Sequence, residues 1–149
     1  MSQLTHIDTE GKASMVNVAD KPILKRSAIA RGKIFLAKET LRLIQENNIA
    51  KGDVLACARI AGISGAKQTS AMIPLCHNIF IDQIQVDFTI ENDGIMIQAT
   101  ARCSGKTGIE MEALTAVSIA ALTIWDMCKA VDKNMQISNI ILIEKKKEE

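Results

Sequence analysis

Two short runs place ionisable side chains inside apolar sequence, where a chain folding for stability alone would leave them out. One is Ile73-Pro-Leu-Cys-His77; the other runs from Thr107 to Lys129, TGIEMEALTAVSIAALTIWDMCK. An unpaired buried charge is costly, so charges kept in such runs point to chemistry. The first run offers Cys76 and His77. The second offers Glu110, Glu112, Asp126 and Lys129. Imidazole, carboxylate and ammonium groups are the usual means of moving protons or fixing a polar guest.

Spacing limits what they can do together. Glu112 and Asp126 are 14 positions apart. On one helix they share a face to within about 40° but lie ~21 Å apart along the axis. One small-molecule site could hardly use both from one chain; if both are functional, a second subunit supplies one of them. Asp126 and Lys129 are i, i+3 neighbours and can touch; an exposed ion pair would explain them equally well. Ser104-Gly-Lys-Thr-Gly108 resembles the end of a phosphate loop, but position 100 is Thr where the motif needs Gly. A helix start beside Gly and Lys still favours an anion. Cys76 next to His77 hints at a metal, yet no third ligand is apparent, and a lone His is commonly structural. His6 falls in an early arm. Lys21, Lys25, Arg26, Lys51, Arg59 and Lys67 form a basic set of the kind a polyphosphate would need.

The elements that must position these groups follow from periodicity. Residues 1–20 read as a loose arm, and Ile23–Arg31 as a first strand. Ile34, Ala37, Leu41 and Ile44 predict a helix over Lys33–Asn48. Asp53 can cap a second helix reaching Ala71, weakened at Gly62 and Gly65 and broken by Pro74. Ile84, Val86, Phe88 and Ile90 alternate with polar residues in a strand. Asn92-Asp-Gly94 turns the chain into a partner strand carrying Ile95, Ile97, Ala99 and Ala101. Thr107 and Glu110 read as a capping box opening a helix to about Lys133, with Met111, Leu114, Ala121, Leu122, Trp125 and Cys128 as its apolar stripe. Gln136–Glu144 is a last strand and Lys145–Glu149 a solvated charge run. The order β-α-α-β-β-α-β is an α+β, ferredoxin-like pattern: an antiparallel sheet, helices on one face, and one extra helix. The expected organisation is an arm (1–20), a single catalytic domain (21–144) and a charged tail (145–149).

Composition narrows the class. With 149 residues, 48% hydrophobic and 23% charged, the chain reads as a soluble globular domain. A net charge of +1 and only four aromatic residues argue against nucleic acid. Cys57, Cys76, Cys103 and Cys128 lack zinc-site spacing and read as free thiols in a reducing compartment. With no leader pattern and no uninterrupted membrane span, the expected location is the cytoplasm.

Taken together, Lys51-Gly-Asp-Val-Leu55, Arg59-Ile-Ala-Gly-Ile63, Ile73-Pro-Leu-Cys-His77, Thr107-Gly-Ile-Glu-Met-Glu-Ala-Leu-Thr115 and Asp126-Met-Cys-Lys-Ala130 resemble the cyclic pyranopterin monophosphate synthase family of molybdenum cofactor biosynthesis. The likeness runs from about Leu4 to Glu144. It implies a ferredoxin-like lyase that converts 3′,8-cyclo-7,8-dihydroguanosine triphosphate to cyclic pyranopterin monophosphate and releases pyrophosphate. It also implies a homohexamer, a trimer of dimers with sites at subunit interfaces. By the same resemblance Asp126, Lys51 and Lys129 are catalytic, while Leu75, Cys76, His77, Met111, Glu112 and Arg26 bind substrate. No metal or cofactor is demanded, though magnesium on the triphosphate is compatible.

Chemistry adds one expectation. Asp126 beside Lys129 would keep that lysine protonated, leaving Lys51 to exchange protons while Lys129 donates one or steadies negative charge. His77 and Arg26 would hold phosphates or the base. Against the family pattern, Asn17 stands for Asp, Asn78 for Pro and Trp125 for Tyr, and the Gly-Gly-Lys-Ser-Gly tail is missing. Two rivals remain on the same fold: a nucleotide-binding module without turnover, and an RNA-binding domain.

Overall fold

The computed structural model describes residues 6–149. Its elements are β1 (Leu24–Phe35), α1 (Lys38–Gln45), α2 (Val54–Lys67), α3 (Thr69–Met72), β2 (Ile81–Glu91), β3 (Gly94–Gly105), α4 (Glu110–Cys128) and β4 (Gln136–Glu148). The strands form one antiparallel sheet in the order β2-β3-β1-β4. That order and connectivity are those of the ferredoxin-like α+β sandwich expected from the sequence.

Alternation builds the core. Ala28, Ala30 and Ile34 of β1 and Ile95, Ile97, Ala99, Ala101 and Cys103 of β3 all point under the helices and are buried. Ala113, Ala116, Val117, Ala120, Ala121 and Ile124 of α4 meet them. Small residues let the helices come close. A Cβ on Gly62 would lie 2.9 Å from the Ala116 carbonyl oxygen, and one on Gly65 would lie 2.7 Å from Ile119 Cγ1. These two glycines trade helix propensity for the approach of α2 to α4.

Several boundaries differ from the sequence reading. Lys33 and Ile34 belong to β1, not to a helix. Their alternation continues that of Ala28 and Ala30, and both neighbouring strands pair with this stretch. The first helix starts only at Lys38, where the buried Asp132 carboxylate accepts from the Ala37 N–H and the Thr40 hydroxyl, each at 2.9 Å. A cap supplied 95 residues away is invisible to local pattern. The second predicted helix is split at Gln68 into α2 and α3.

The predicted capping box does not form. Ile109 is the N-cap of α4, without a side-chain cap bond, and the helix ends at Cys128, short of Lys133. Leu122, assigned to the apolar stripe, is 55% exposed. The final strand outruns its predicted end, because Lys145–Glu148 pair with Lys25–Ala28 of β1. The Lys/Glu run is therefore strand, with solvated side chains.

α4 is long and apolar enough to cross a membrane, but half of that window is buried within the chain. It is the central core helix.

Candidate functional site

The Ile73–His77 run earns its shape from Pro74. The helical segment stops at Met72, and the Cys76 N–H bonds back to the Ile73 carbonyl at 3.1 Å, closing a turn around Pro74 and Leu75. This turn faces the N-terminal end of α4. Between them opens a cavity of about 520 Å³, lined by Leu75, Cys76 and His77 on one side and Met111 and Glu112 on the other. Five residues singled out in the sequence thus meet in one place.

Glu112 dominates the electrostatics of this cavity. It is only 3% exposed, and its Oε2 has no hydrogen-bond partner. Burial pushes its carboxyl above the ordinary glutamate range, its own backbone N–H opposes this, and nearby Glu110 adds to the rise. A carboxyl biased toward its neutral form can donate as well as accept. Burial, then Glu112 and Glu110, also push the Cys76 thiol up, so it stays a thiol and is a poor nucleophile. With Glu110 and Glu112 in its first turn, this helix start does not favour the anion anticipated at Ser104–Gly108.

The arm also belongs to the cavity. His6, Val16, Val18 and Lys21 line it, and the Val16 carbonyl oxygen lies 2.6 Å from His77 Nε2. Lys106 donates to the Ala19 carbonyl at 2.8 Å, which ties down the same segment. Sequence pattern had read this stretch as loose, since its hold comes from backbone carbonyls that carry no residue signature. Residues 1–5 of the predicted arm lie outside the described residues.

A second cluster sits at the opposite end of α4. Lys51 Nζ lies 3.0 Å from Asp126 Oδ2 and 3.0 Å from the Asp126 carbonyl oxygen. Lys129 Nζ lies 2.9 Å from Asp126 Oδ1. Lys129 first, then Lys51, holds the Asp126 carboxyl below its ordinary range. All three side chains are roughly half exposed. Gly52, at φ +114°, makes the turn that delivers Lys51, an angle L side chains rarely adopt. Asp53 then caps α2 by accepting from the Ala56 N–H at 3.0 Å, as its position predicted.

This geometry corrects the expected division between the lysines. It assumed that Asp126 touches Lys129 alone. Both lysines share the carboxylate, one on each oxygen, so the pairing does not distinguish them.

The two clusters do not merge within one chain. Neither Lys51, Asp126 nor Lys129 lines the 520 Å³ cavity. Arg26 is also apart from it, donating to the Gly105 and Lys106 carbonyls at 3.0 and 3.3 Å. It lines a recess of about 230 Å³ with Lys145, Lys146 and Lys147, which shares Gly108 and Glu110 with the 520 Å³ cavity, and a second recess of about 580 Å³ with Lys146 and Glu148. The sequence reading missed these three lysines as neighbours of Arg26, because it ended the strand before them. Trp125 lines another surface recess beside Lys129. Among the described residues, no group of three or more His, Cys, Asp or Glu could hold a metal ion.

Comparison with known proteins bears on what these clusters serve. The sequence profile of the MoaC family matches residues 15–148. The chain belongs to the MoaC family. It is 55% identical over 147 residues to the cyclic pyranopterin monophosphate synthase of Chloroflexus aurantiacus J-10-fl, covering 97% of this chain and 90% of that protein. The protein of the same name from Thermoanaerobacter sp. X514 is 56% identical over 144 residues, covering 95% of this chain and 91% of its own length. That from Clostridium acetobutylicum is 57% identical over 143 residues, with 95% and 89% covered.

Proposed function

We propose that this member of the MoaC family is a lyase of molybdenum cofactor biosynthesis. It converts 3′,8-cyclo-7,8-dihydroguanosine triphosphate to cyclic pyranopterin monophosphate with release of pyrophosphate. The observation that carries this reading is the joint assembly of two clusters from distant sequence: Leu75–His77 against Met111–Glu112, and Lys51 against Asp126 across 75 residues. A non-catalytic module would not need a carboxylate shared by two ammonium groups. The RNA-binding alternative lacks a surface for it, since only four aromatic residues exist in the chain.

The chemistry divides between the clusters. The reaction opens a purine ring, rebuilds it as a pyranopterin and closes a cyclic phosphate, and each step relocates protons. Lys51, Asp126 and Lys129 are the proposed catalytic set. The ionised Asp126 fixes both ammonium groups, which can donate protons or steady charge as pyrophosphate leaves. Leu75, Cys76, His77, Met111 and Glu112 bind the ring system. Arg26, with Lys145 and Lys147 beside it, takes phosphate oxygens, Arg clamping two at once. No resident cofactor is proposed; a magnesium ion rides on the triphosphate as part of the substrate.

Because the clusters stand ~21 Å apart on α4, we place each complete site between two protomers. Ile60, 64% exposed on α2, and Leu122, 55% exposed on α4, are apolar side chains that a partner would cover. The assembly proposed is a homohexamer built from such dimers, in the cytoplasm. Incubation with the cyclo-dihydro nucleotide tests the whole reading. Pyrophosphate release that Lys51→Met and Asp126→Ala abolish is expected. Tight binding with no release would establish the module instead.

A further inference from the structure

His77 makes a contact that constrains its protonation geometry. Its Nε2 lies 2.6 Å from the Val16 carbonyl oxygen. A carbonyl oxygen can only accept, so Nε2 must carry a proton. In the neutral ring Nδ1 is then a bare lone pair. Among the described residues no protein group bonds to Nδ1, and the only buried side-chain atoms left without a partner are Glu110 Oε2 and Glu112 Oε2. His77 lines the cavity and is half-buried, so with Nε2 engaged by Val16 its other ring nitrogen is the one left for a guest.

The backbone on either side of Val16 is itself held. Asn17 Oδ1 accepts from the Ala19 N–H at 2.9 Å. The Lys21 N–H bonds to the Val18 carbonyl at 3.1 Å, and the Ser14 N–H to the His6 carbonyl at 2.7 Å. Lys106 clamps Ala19 from outside the arm. Residues 14–21 are therefore a shaped wall on both sides of Val16. Asn17 holds this turn as an acceptor, a task the amide oxygen performs without a negative charge.

We infer that the arm selects the His77 tautomer: the Val16 carbonyl pins Nε2–H, so His77 meets the substrate through Nδ1 as a hydrogen-bond acceptor. This rests on the cavity being the substrate site. It assigns His77 to a donor on the guest, an amino, ring N–H or hydroxyl group, and removes it from the phosphates, whose oxygens would face a lone pair. Glu112 lines the same cavity, and burial shifts its carboxyl toward the neutral form.

Three measurements on the full-length protein test this. With 15N-labelled histidine at about pH 8, the His77 signals should show a protonated Nε2 and an unprotonated Nδ1. The reverse assignment, or a doubly protonated ring, overturns the inference. Second, Gln places an amide near the Nε2 position and can still donate to Val16, whereas Asn is too short. His77→Asn should expose the arm to protease at least about tenfold faster, and His77→Gln should stay within about threefold of the parent. Equal rates for both variants overturn the wall. Third, the cyclo-dihydro nucleotide should shift the Nδ1 signal, and inorganic tripolyphosphate should not; the opposite pattern overturns the donor assignment. The first two use no substrate. A wrong tautomer would leave pyrophosphate release intact, and a protein that releases no pyrophosphate could still show the stated tautomer.

Discussion

Asp126 gives each of its carboxylate oxygens to a different lysine, Oδ2 to Lys51 at 3.0 Å and Oδ1 to Lys129 at 2.9 Å. The three side chains are half exposed, where ion pairs contribute little to stability. Their arrangement is thus better explained by chemistry than by folding. Asp126→Asn should therefore leave the melting temperature nearly unchanged and lower kcat by about 100-fold or more. Because the groups act as a unit, the double variant Lys51→Met/Lys129→Met should lose far less than the product of the single losses. Thermal melts paired with pyrophosphate assays check both points. A drop in melting temperature that accounts for the lost activity would remove the catalytic argument.

Glu112 makes stability depend on pH in a direction set by burial. Its folded-state carboxyl titrates above the ordinary value of 4.5. Between that value and the raised one, the folded chain binds more protons than the unfolded chain, so stability falls as pH rises through the window. The contribution is fully present below the unfolded value and lost above the folded one. Glu112→Gln keeps the shape and removes the titration. It should melt a few degrees (~3 °C) higher than the parent at about pH 8 and converge with it near pH 4. A constant offset at all pH values would mean that folding does not shift the Glu112 carboxyl.

Gly52 and Gly62 constrain the molecule for different reasons, and substitution separates them. Gly52 sits at φ +114° with open space around its Cα. Gly52→Ala should cost roughly 1–2 kcal/mol through backbone strain and also lower kcat, because Lys51 is adjacent. At Gly62 the Cβ would meet the Ala116 carbonyl oxygen at 2.9 Å. There Ala gains about 1 kcal/mol of helix propensity but wedges α2 from α4, at roughly 1–3 kcal/mol. Urea unfolding should show both variants destabilised, with turnover per folded molecule reduced only for Gly52→Ala.

How far the sequence could be read depended on the range of the interactions involved. Strands β2 and β3 were legible because Ile84–Ile90 and Ile95–Ala101 alternate and the Asn-Asp-Gly turn joins them. Asp53 announced α2 for the same local reason. Lys33 and Ile34 misled, since Ile34, Ala37, Leu41 and Ile44 fit a helical period while the sheet's pairing overrides it. The cap on α1 comes from Asp132 and the latch on His77 from the Val16 backbone; neither has a local signature. The residues proposed for the site stood out through motifs. The contact of Lys51 with Asp126 did not, because 75 residues separate them.

The two halves of the proposed site lie at opposite ends of one helix, and this makes a prediction that a self-sufficient protomer could not satisfy. An isologous two-fold pair exchanges ends, so each composite site takes Lys51, Asp126 and Lys129 from one chain and His77 and Glu112 from the other. Lys51→Met and His77→Ala should each be inactive alone. After co-refolding in equal amounts, about half the dimers are mixed, and each mixed dimer holds one intact site and one doubly damaged site. Recovered activity should approach about a quarter of the parent's. If both halves instead served one chain's site, every chain in the mixture would still carry a lesion and the mixture would stay inactive. Adding Leu122→Glu, which puts a charge on the exposed apolar side of α4, should abolish the recovery and shift the protein toward monomer in sedimentation. Recovery that survives alongside a monomeric species would rule out the shared site.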